Sequence, residues 1–286
     1  MFEIYFEETL DAKKIYERLL EKKQALLIKY IDVSFNEDKK LVYFSIVKNK
    51  DYVIDKLIIP VLTNYIISKE DLQIRSMIET VFYFTDIDEQ NQILELTHAL
   101  INGSISDVPD LYDMEPREET IISSFKELLK EPVSFSFESF IKFRLRNYSE
   151  QLRKYVELAI DEYKLEQEYQ NFIQNLRDFM IDRRAKFEKI HILHDEQFVF
   201  YNNTFTQITR DEMMKYIDRK LILNHPMYID STVLAPLVSI APESINIYTN
   251  QVDHGMVQTV QNIFLERVQI FPKHYFEQSR TPKHKM

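Results

Sequence analysis

Residues 137–182 read FESFIKFRLRNYSEQLRKYVELAIDEYKLEQEYQNFIQNLRDFMID and contain no glycine or proline. Apolar side chains recur along the stretch, as far as Tyr163, at the three- and four-residue spacing of one helix face. The spacing restarts at Leu165, out of register. A single unbroken helix of this length would measure about 70 Å, longer than a small domain is wide. The stretch therefore predicts two helices, or one helix kinked near residues 163–166.

The chain before this stretch predicts a small lobe of strands followed by helices. Alternating apolar residues predict strands at 2–6, 25–35 and 41–47, with an amphipathic helix at 10–22 after the first strand. Four segments with helical spacing follow this βαββ opening: 53–67, 72–82, 88–101 and a helix from Pro116 to Lys130. Pro60 interrupts the first segment, and Gly103 ends the third. An acidic loop at 102–119 leads into the fourth.

After residue 189 the spacing of the apolar residues changes again, from that of a helix to that of strands. It predicts a hairpin at 190–201, followed by strands at 245–248 and 268–271 that alternate with helices. The polar tail from Tyr275 is expected to fray. Together the segments predict an α+β fold in three lobes. They are a small N-terminal βαββ lobe at 1–50, a central long-helix bundle at 51–189 and a C-terminal mixed α/β lobe at 190–286.

Composition predicts a globular protein in a reducing compartment. The 286 residues are 45% hydrophobic and 29% charged, and none is cysteine, which excludes disulfides and thiolate metal sites. The opening MFEIYFEETL lacks the basic start and long apolar run of a signal peptide. The most apolar segment, 57–67, is about half the roughly 20 residues that a membrane span needs. We therefore expect a soluble cytoplasmic protein with no membrane span.

Glycine usage excludes several enzyme classes. The chain has only Gly103 and Gly255, whereas loops that cradle phosphates need several glycines for their backbone conformations. Walker, dinucleotide-binding and kinase glycine loops are absent from the sequence, and so is the GxSxG elbow of the α/β-hydrolases. We therefore predict no bound cofactor.

Charge argues against a nucleic-acid partner. The net charge is −10, it is concentrated in the N-terminal half, and such a surface repels a phosphate backbone. Basic residues of the central stretch alternate with aromatic residues, a pattern that can mark a nucleic-acid face. Here the aromatic residues follow the helical core spacing, so we predict no nucleic-acid binding. The basic residues are Lys142, Arg144, Arg146, Arg153 and Lys154.

Two histidine motifs have the spacing of metal ligands. Glu95 and His98 form E-x-x-H on one helix face, the motif that di-iron bundles use in two copies. Glu188 and His191 repeat the spacing, but they straddle a change from helix to strand. His191 and His194 form H-x-x-H in a predicted strand, where residues three apart point to opposite faces. We therefore predict no metal site at either motif.

The acidic residues Asp161, Glu162, Glu166 and Glu168 crowd the point where the apolar stripe breaks. Glu162 and Glu166 lie four apart, where like charges destabilise a helix by a few tenths of a kcal/mol. One interpretation is an ion-pair network with a nearby arginine. The other is a functional site for a metal or for a basic residue of a partner. The first is favoured because ion pairing is the commoner cause of such clusters.

Arg144 is the arginine that the pattern selects. It falls between Ile141 and Tyr148 on the apolar stripe, where an unpaired charge would be strongly disfavoured. We therefore predict that Arg144 is buried and bonded to an acid. The predicted polar cluster is Arg144, Asp161, Glu162 and Glu166.

The central stretch also carries a family resemblance. FESFIKFRLRNY, VELAIDEY and LEQEYQNFIQNL are similar to the signature of the YtxC-like family of bacterial sporulation proteins, and LVSIAPESINIY and IFLERVQIF are similar to its end region. The resemblance covers about 134–271. The matching positions in the signature are Phe140, Phe143, Arg144, Leu145, Tyr148, Leu152, Val156, Glu157, Ala159, Asp161, Glu162, Glu166, Glu168, Tyr169, Phe172 and Leu176.

The resemblance implies an endospore-forming bacterium and a role in sporulation, and it implies no activity or catalytic residues. Two functions from different classes stay open. The first is an interaction or scaffold protein whose partner is another protein, and the second is a metal-dependent enzyme or metal-binding protein that uses the carboxylates of 161–168. We expect the first, since carboxylates alone suit few reactions without a metal. The sequence leaves the oligomeric state open.

Overall fold

A computed structural model describes residues 1–105, 116–224 and 229–280. The chain divides into two compact units, Met1–Lys164 and Leu165–Met286, which we call the N-terminal and C-terminal units. The division into three lobes stays a prediction. Most of the predicted acidic loop, and the last six residues of the predicted frayed tail, lie outside the described residues.

The N-terminal unit contains a four-stranded sheet in the order β2-β3-β1-β4. The predicted βαββ opening is confirmed. Strand β4 was not predicted, because three residues are too few to show alternation, and it pairs in parallel with β1. The elements are β1 (Phe2–Tyr5), α1 (Thr9–Ala25), β2 (Ile31–Asn36), β3 (Leu41–Ile46) and β4 (Ser134–Ser136).

Helices fill the rest of this unit before the central stretch. A π-helical turn, Ile54–Ile58, directly precedes the helix that contains Pro60, because proline has no N–H to continue the regular hydrogen-bond ladder. Gly103 adopts a φ of 69° just past a helix end, as predicted. The helices are α2 (Lys50–Val53), α3 (Ile59–Ile67), α4 (Glu70–Thr80), α5 (Ile87–Ile101) and α6 (Arg117–Leu128).

The central stretch forms two helices, α7 (Phe137–Arg144) and α8 (Arg146–Ile181). The prediction of two helices is confirmed, but they do not separate near 163–166, because α8 includes those residues. The break lies at Leu145, whose N–H bonds to the carbonyl of Phe140, five residues back, at 3.3 Å. This local turn buries Leu145 completely, while the arginines on either side of it stay exposed.

Helix α8 buries a different face in each unit. Its first half contributes Leu152, Val156 and Tyr163 to buried apolar clusters of the N-terminal unit. Its second half contributes Ile173 and Leu176 to the core of the C-terminal unit. The predicted change of face therefore coincides with the change from one core to the other.

The C-terminal unit contains a five-stranded sheet in the order β7-β6-β5-β8-β9. Strands β5, β8 and β9 are parallel, whereas β6 and β7 pair antiparallel. The predicted hairpin and the two later strands are confirmed, and so is the α+β fold class. The strands are β5 (Lys189–His194), β6 (Phe198–Asn202), β7 (Gln207–Ile208), β8 (Ser244–Tyr248) and β9 (Val268–Phe271).

Helices of this unit pack against apolar side chains of the central strands. Ile192 and Ile247 lie in one buried cluster with Leu237 and Val260. The polar tail is helical as far as Arg280, contrary to expectation, because Phe276 is buried. The helices are α9 (Arg210–Lys215), α10 (Arg219–Asn224), α11 (Leu234–Ile240), α12 (Gly255–Phe264) and α13 (Tyr275–Arg280), with a 3₁₀ turn at Leu265–Arg267.

Candidate functional site

The prediction that Arg144 is buried is wrong, because its side chain is exposed. Arg144 is the last residue of α7, so the helical spacing that relates it to Tyr148 is lost at the break at Leu145. Among the described residues, Arg144 makes no hydrogen bond or ion pair with Asp161 or Glu162. The apolar stripe therefore cannot be extrapolated through this arginine.

The predicted acids lie on the solvent-facing side of α8. Asp161, Glu162 and Glu166 are all exposed, and Glu166 Oε1 accepts a hydrogen bond from Gln170 Nε2 at 2.7 Å. Exposure lets water screen their mutual repulsion, so no cation is needed to offset it. Their joint role as a polar cluster with Arg144 stays a prediction.

An ion pair between one buried and one partly buried residue does exist in the N-terminal unit, between other residues. Glu70, with 4% of its surface exposed, accepts a hydrogen bond from the Tyr148 hydroxyl at 3.0 Å. Arg117 Nε lies 3.2 Å from Glu70 Oε1, as an ion pair without hydrogen-bond geometry. Burial, and then the negative charge of Glu70, raise the pKa of the Tyr148 hydroxyl well above its usual value. This network joins α4, α6 and α8.

Sequence reasoning missed this network although a signal was present. Glu70 precedes Ile74 by four residues and Ile78 by eight, so it lies on the buried face of α4. Looking for a charged residue on an apolar helix stripe wrongly selects Arg144, but the same rule correctly selects Glu70. The difference is that α4 continues unbroken through its stripe, whereas α7 ends at Arg144.

The E-x-x-H motif does not assemble a metal site. Glu95 is exposed, while His98 Nε2 lies 3.1 Å from Asp71 Oδ1 across the α4–α5 pair. Glu188 is exposed just before β5. Within the described ranges, no group of three or more histidine and carboxylate side chains is placed to hold a metal ion.

The two histidines of H-x-x-H lie on opposite faces of β5, as their spacing predicts. His191 Nδ1 lies 3.1 Å from the Tyr248 hydroxyl, and its ring stacks on Phe205 at 4.0 Å. His194 Nδ1 lies 3.0 Å from Oγ1 of Thr249, the next residue after Tyr248. Because consecutive residues of an extended chain point to opposite sides, the two histidines cannot share a ligand.

Burial keeps both histidines neutral at ordinary pH. It lowers the pKa of His191 to about 4, and the charge of Lys189 adds to the effect. Burial, and then the nearby His254, also lower the pKa of His194. Both rings are satisfied members of the sheet core, which is the role that most buried histidines have.

A cleft of about 680 Å³ lies in the C-terminal unit between α8 and α12. It is larger than the cavity of about 420 Å³ beside β6 and β7. Its apolar lining is Leu165, Tyr169, Phe172, Leu234 and Met256, and its polar lining is Glu168, Asn171, Asn175, Asp230 and Thr259. A cavity of this size and mixed lining is typical of a binding site.

The helical spacing of α8 builds one wall of this cleft. Glu168 and Tyr169 lie three and four residues after Leu165, and Phe172 lies four and three residues after them, so the four side chains share one face. Leu165 is 61% exposed. The apolar restart that the sequence places at Leu165 is therefore present, but at this residue it faces solvent and does not enter the core.

Hydrogen bonds fix the distance between the two walls. Asn262 Nδ2 of α12 donates to the Tyr169 hydroxyl of α8 at 3.0 Å. The Arg177 guanidinium donates to the Asn262 carbonyl at 2.6 Å. Because three polar groups join α8 to α12, the cleft is built into the fold of the unit.

The polar groups of the cleft fall into two sets. Asp230 Oδ1 accepts from the backbone N–H of Thr232 at 2.9 Å, and Thr259 Oγ1 donates to the carbonyl of Gly255, so both are used by the fold. Glu168, Asn171 and Asn175 make no hydrogen bond or ion pair within the described part of the chain. These three side chains of α8 therefore have no bonding partner among the described residues.

No helix within the described ranges has both the length and the apolar content that crossing a bilayer requires. In the central helix α8, charged residues recur throughout its 36 residues.

Fold and cleft together define an α+β protein of two compact units, one of which contains a helix-lined cleft. Residues 56–269 match the YtxC-like family. An uncharacterized protein named YtxC from Bacillus subtilis (strain 168) is 43% identical over 239 residues, which cover 82% of this chain and 83% of that protein. The chain belongs to the YtxC-like family. The match begins at residue 56, well before the resemblance seen in the central stretch, and no solved structure matches the chain.

Proposed function

We propose that this protein acts in sporulation, in the cytoplasm, through a contact with another protein that docks in the cleft between α8 and α12. The sporulation role rests on the resemblance of the central stretch to a family of sporulation proteins. The contact rests on the geometry of the cleft. The single observation that carries it is the exposure of Leu165 beside three polar side chains that make no hydrogen bond or ion pair with the described residues.

Physical chemistry favours covering this surface. Each Å² of apolar surface removed from water contributes about 25 cal/mol, so covering the exposed part of Leu165 and its apolar neighbours would add to the affinity of any partner that fits. Apolar side chains rimmed by polar groups are typical of interaction sites. The unpaired amides of Asn171 and Asn175 supply directional bonds that give such a contact its specificity.

The metal-dependent alternative has less support. A catalytic metal needs several ligands that converge on one point. Asp161, Glu162 and Glu166 are exposed along α8, and the described residues include no convergent set of three metal-binding side chains. The net charge of −10 also disfavours a nucleic-acid partner. A protein partner is therefore the better-supported proposal.

The test uses variants of two exposed apolar residues on the same helix. Leu165 lies in the cleft and is 61% exposed, whereas Ile181 lies outside it and is 72% exposed. Leu165→Asp and Ile181→Asp introduce the same charge at exposed sites. Leu165→Asp also places a like charge near Asp161, Glu162 and Glu168, so it should lower the free energy of unfolding by about 0.5 to 1 kcal/mol, and Ile181→Asp by no more than about 0.5 kcal/mol. Each tagged full-length variant replaces the wild-type protein in sporulating cells of its source organism.

We expect Leu165→Asp to lose a co-purifying protein and to lower the yield of heat-resistant spores, while Ile181→Asp behaves as wild type. Melting temperatures of the purified variants confirm that each one is folded. Identical co-purification by wild type and Leu165→Asp would exclude the cleft as the contact. An unchanged spore yield after deletion of the whole gene would exclude the sporulation role.

A further inference from the structure

We infer that the occupant of the cleft is an amphipathic helix with basic flanks, presented by the partner protein; this inference rests on the proposed docking function. The walls of the cleft are helices, whose backbone groups are already paired within each helix. They offer no free N–H and C=O ladder to an extended peptide. The occupant must therefore satisfy its own backbone hydrogen bonds, which a helix does.

The dimensions of the cleft suit a short helix. The wall contributed by α8 runs from Leu165 to Asn175, about 15 Å along the helix axis. That length accommodates two to three turns of a second helix lying beside it. Helices that bind in grooves do so with apolar anchors at positions i, i+3, i+4 and i+7. The apolar residues Leu165 and Met256 supply the complementary surface for such anchors.

Charge identifies the flanks of that helix. The charged side chains that line the described part of the cleft are Glu168 and Asp230, both acidic, and none is lysine or arginine. Complementary charge steers association and selects among partners. Lysine or arginine beside the apolar anchors would therefore be selected, and an acidic helix would be repelled.

The same charges separate this inference from other occupants. A nucleic acid or an anionic membrane surface would bring phosphate groups toward Glu168 and Asp230 and would be repelled. The unpaired amides of Asn171 and Asn175 add hydrogen-bonding groups that polar side chains of a partner helix can reach.

The experiment selects binders from a library of random 16-residue peptides, with the purified full-length chain as target. Peptides that also bind the Leu165→Asp variant are removed by counter-selection. We expect the retained peptides to carry apolar residues at helical spacing with lysine or arginine beside them. Retained peptides that are acidic or uncharged, or that lack helical spacing, would overturn the inference. A selection that retains nothing would overturn it as well.

Charge variants then test the best retained peptide by fluorescence anisotropy. Glu168→Lys should weaken binding by about tenfold, because it replaces an attraction with a repulsion. Asp178→Lys makes the same charge change on α8 outside the cleft, where Asp178 accepts a bond from Gln174, and should change binding by less than about twofold. Equal effects of the two variants would overturn the basic-flank assignment.

The outcome is separable from that of the proposed function. Peptide selection uses only the purified chain, whereas the proposed function is tested by co-purification and spore yield in cells. A partner that is lost with Leu165→Asp in cells but is not a basic helix would leave the docking function standing and remove this inference alone.

Discussion

Helix α8 has a buried polar side chain that is paired in the N-terminal unit, whereas three polar side chains that it contributes to the cleft of the C-terminal unit have no bonding partner among the described residues. In the N-terminal unit the Tyr148 hydroxyl is buried and donates to Glu70, which also pairs with Arg117. In the C-terminal unit Glu168 and Asn171 lie beside apolar side chains and make no bond within the described residues. Enclosed polar groups that find partners hold a fold together. Polar groups left unpaired at the edge of an apolar cleft remain available for recognition.

We therefore expect mutations in the two halves of α8 to have different effects on stability and on binding. Changes in the first half should be felt as lost stability. Changes in the cleft-facing part of the second half should leave stability almost intact and act on binding. The predictions below begin with the largest effect on stability.

Two leucines of α8 give the sharpest contrast. Leu152 is fully buried, whereas Leu165 is 61% exposed. Leu152→Ala should lower the free energy of unfolding by about 3 kcal/mol, since it leaves a cavity in the core. Leu165→Ala should lower it by less than about 0.5 kcal/mol. Urea denaturation followed by circular dichroism measures both, and equal losses would contradict the assigned register of the helix.

The buried network should respond to loss of its charge. Glu70→Gln keeps the size of the side chain and an oxygen for the Tyr148 hydroxyl, but it leaves Arg117 without its counter-ion. We expect a loss of about 2 kcal/mol, since Arg117 is only partly enclosed and water offsets some of the penalty. Tyr148→Phe removes one hydrogen bond and should cost about 1 kcal/mol. Denaturation midpoints of both variants test whether Glu70→Gln is the more destabilising change. A larger loss of stability for Tyr148→Phe would contradict this expectation.

Acidification should weaken the C-terminal unit through its histidines. His191 has a pKa of about 4 in the folded chain and about 6.5 when unfolded. Between these values the unfolded state binds more protons, so stability falls as pH decreases. From pH 7 to pH 5 the loss should be roughly 1 to 2 kcal/mol. His191→Phe should make stability less dependent on pH in this window, whereas an unchanged slope would exclude His191 as the cause.

Arg144→Ala should have the smallest effect. The side chain is exposed at the end of α7, so its removal should change the free energy of unfolding by no more than about 0.5 kcal/mol. A loss of several kcal/mol in thermal denaturation would instead restore the buried ion pair that the sequence pattern predicted. Lys142→Ala, at another exposed basic residue of the same helix, is the matched control.

The sequence predicts the fold class well because hydrophobic spacing reports directly on burial. The βαββ opening, the hairpin at 190–201 and the strands at 245–248 and 268–271 all follow from it. The position of the break between α7 and α8 does not follow from spacing, since Leu145 stands in a run of helix-forming residues. Arg144 was misplaced for this reason.

The candidate site was only partly predictable. Spacing identifies the apolar face that begins at Leu165, but it cannot say whether that face meets a core or solvent. Glu168 was selected as one of a group of acids, not as the rim of a cleft. The opposite wall at Met256 and Leu234 comes from distant parts of the chain, and only the folded structure brings it beside α8.

The most direct test of the docking cleft is site-specific photo-crosslinking in sporulating cells. A benzophenone amino acid replaces Leu165 in one strain and Ile181 in another, at positions that are both exposed on α8. We expect a discrete covalent adduct with a second protein from position 165 and none from position 181. The same adducts from both positions, or no adduct from position 165 while the protein is folded and present, would contradict this expectation.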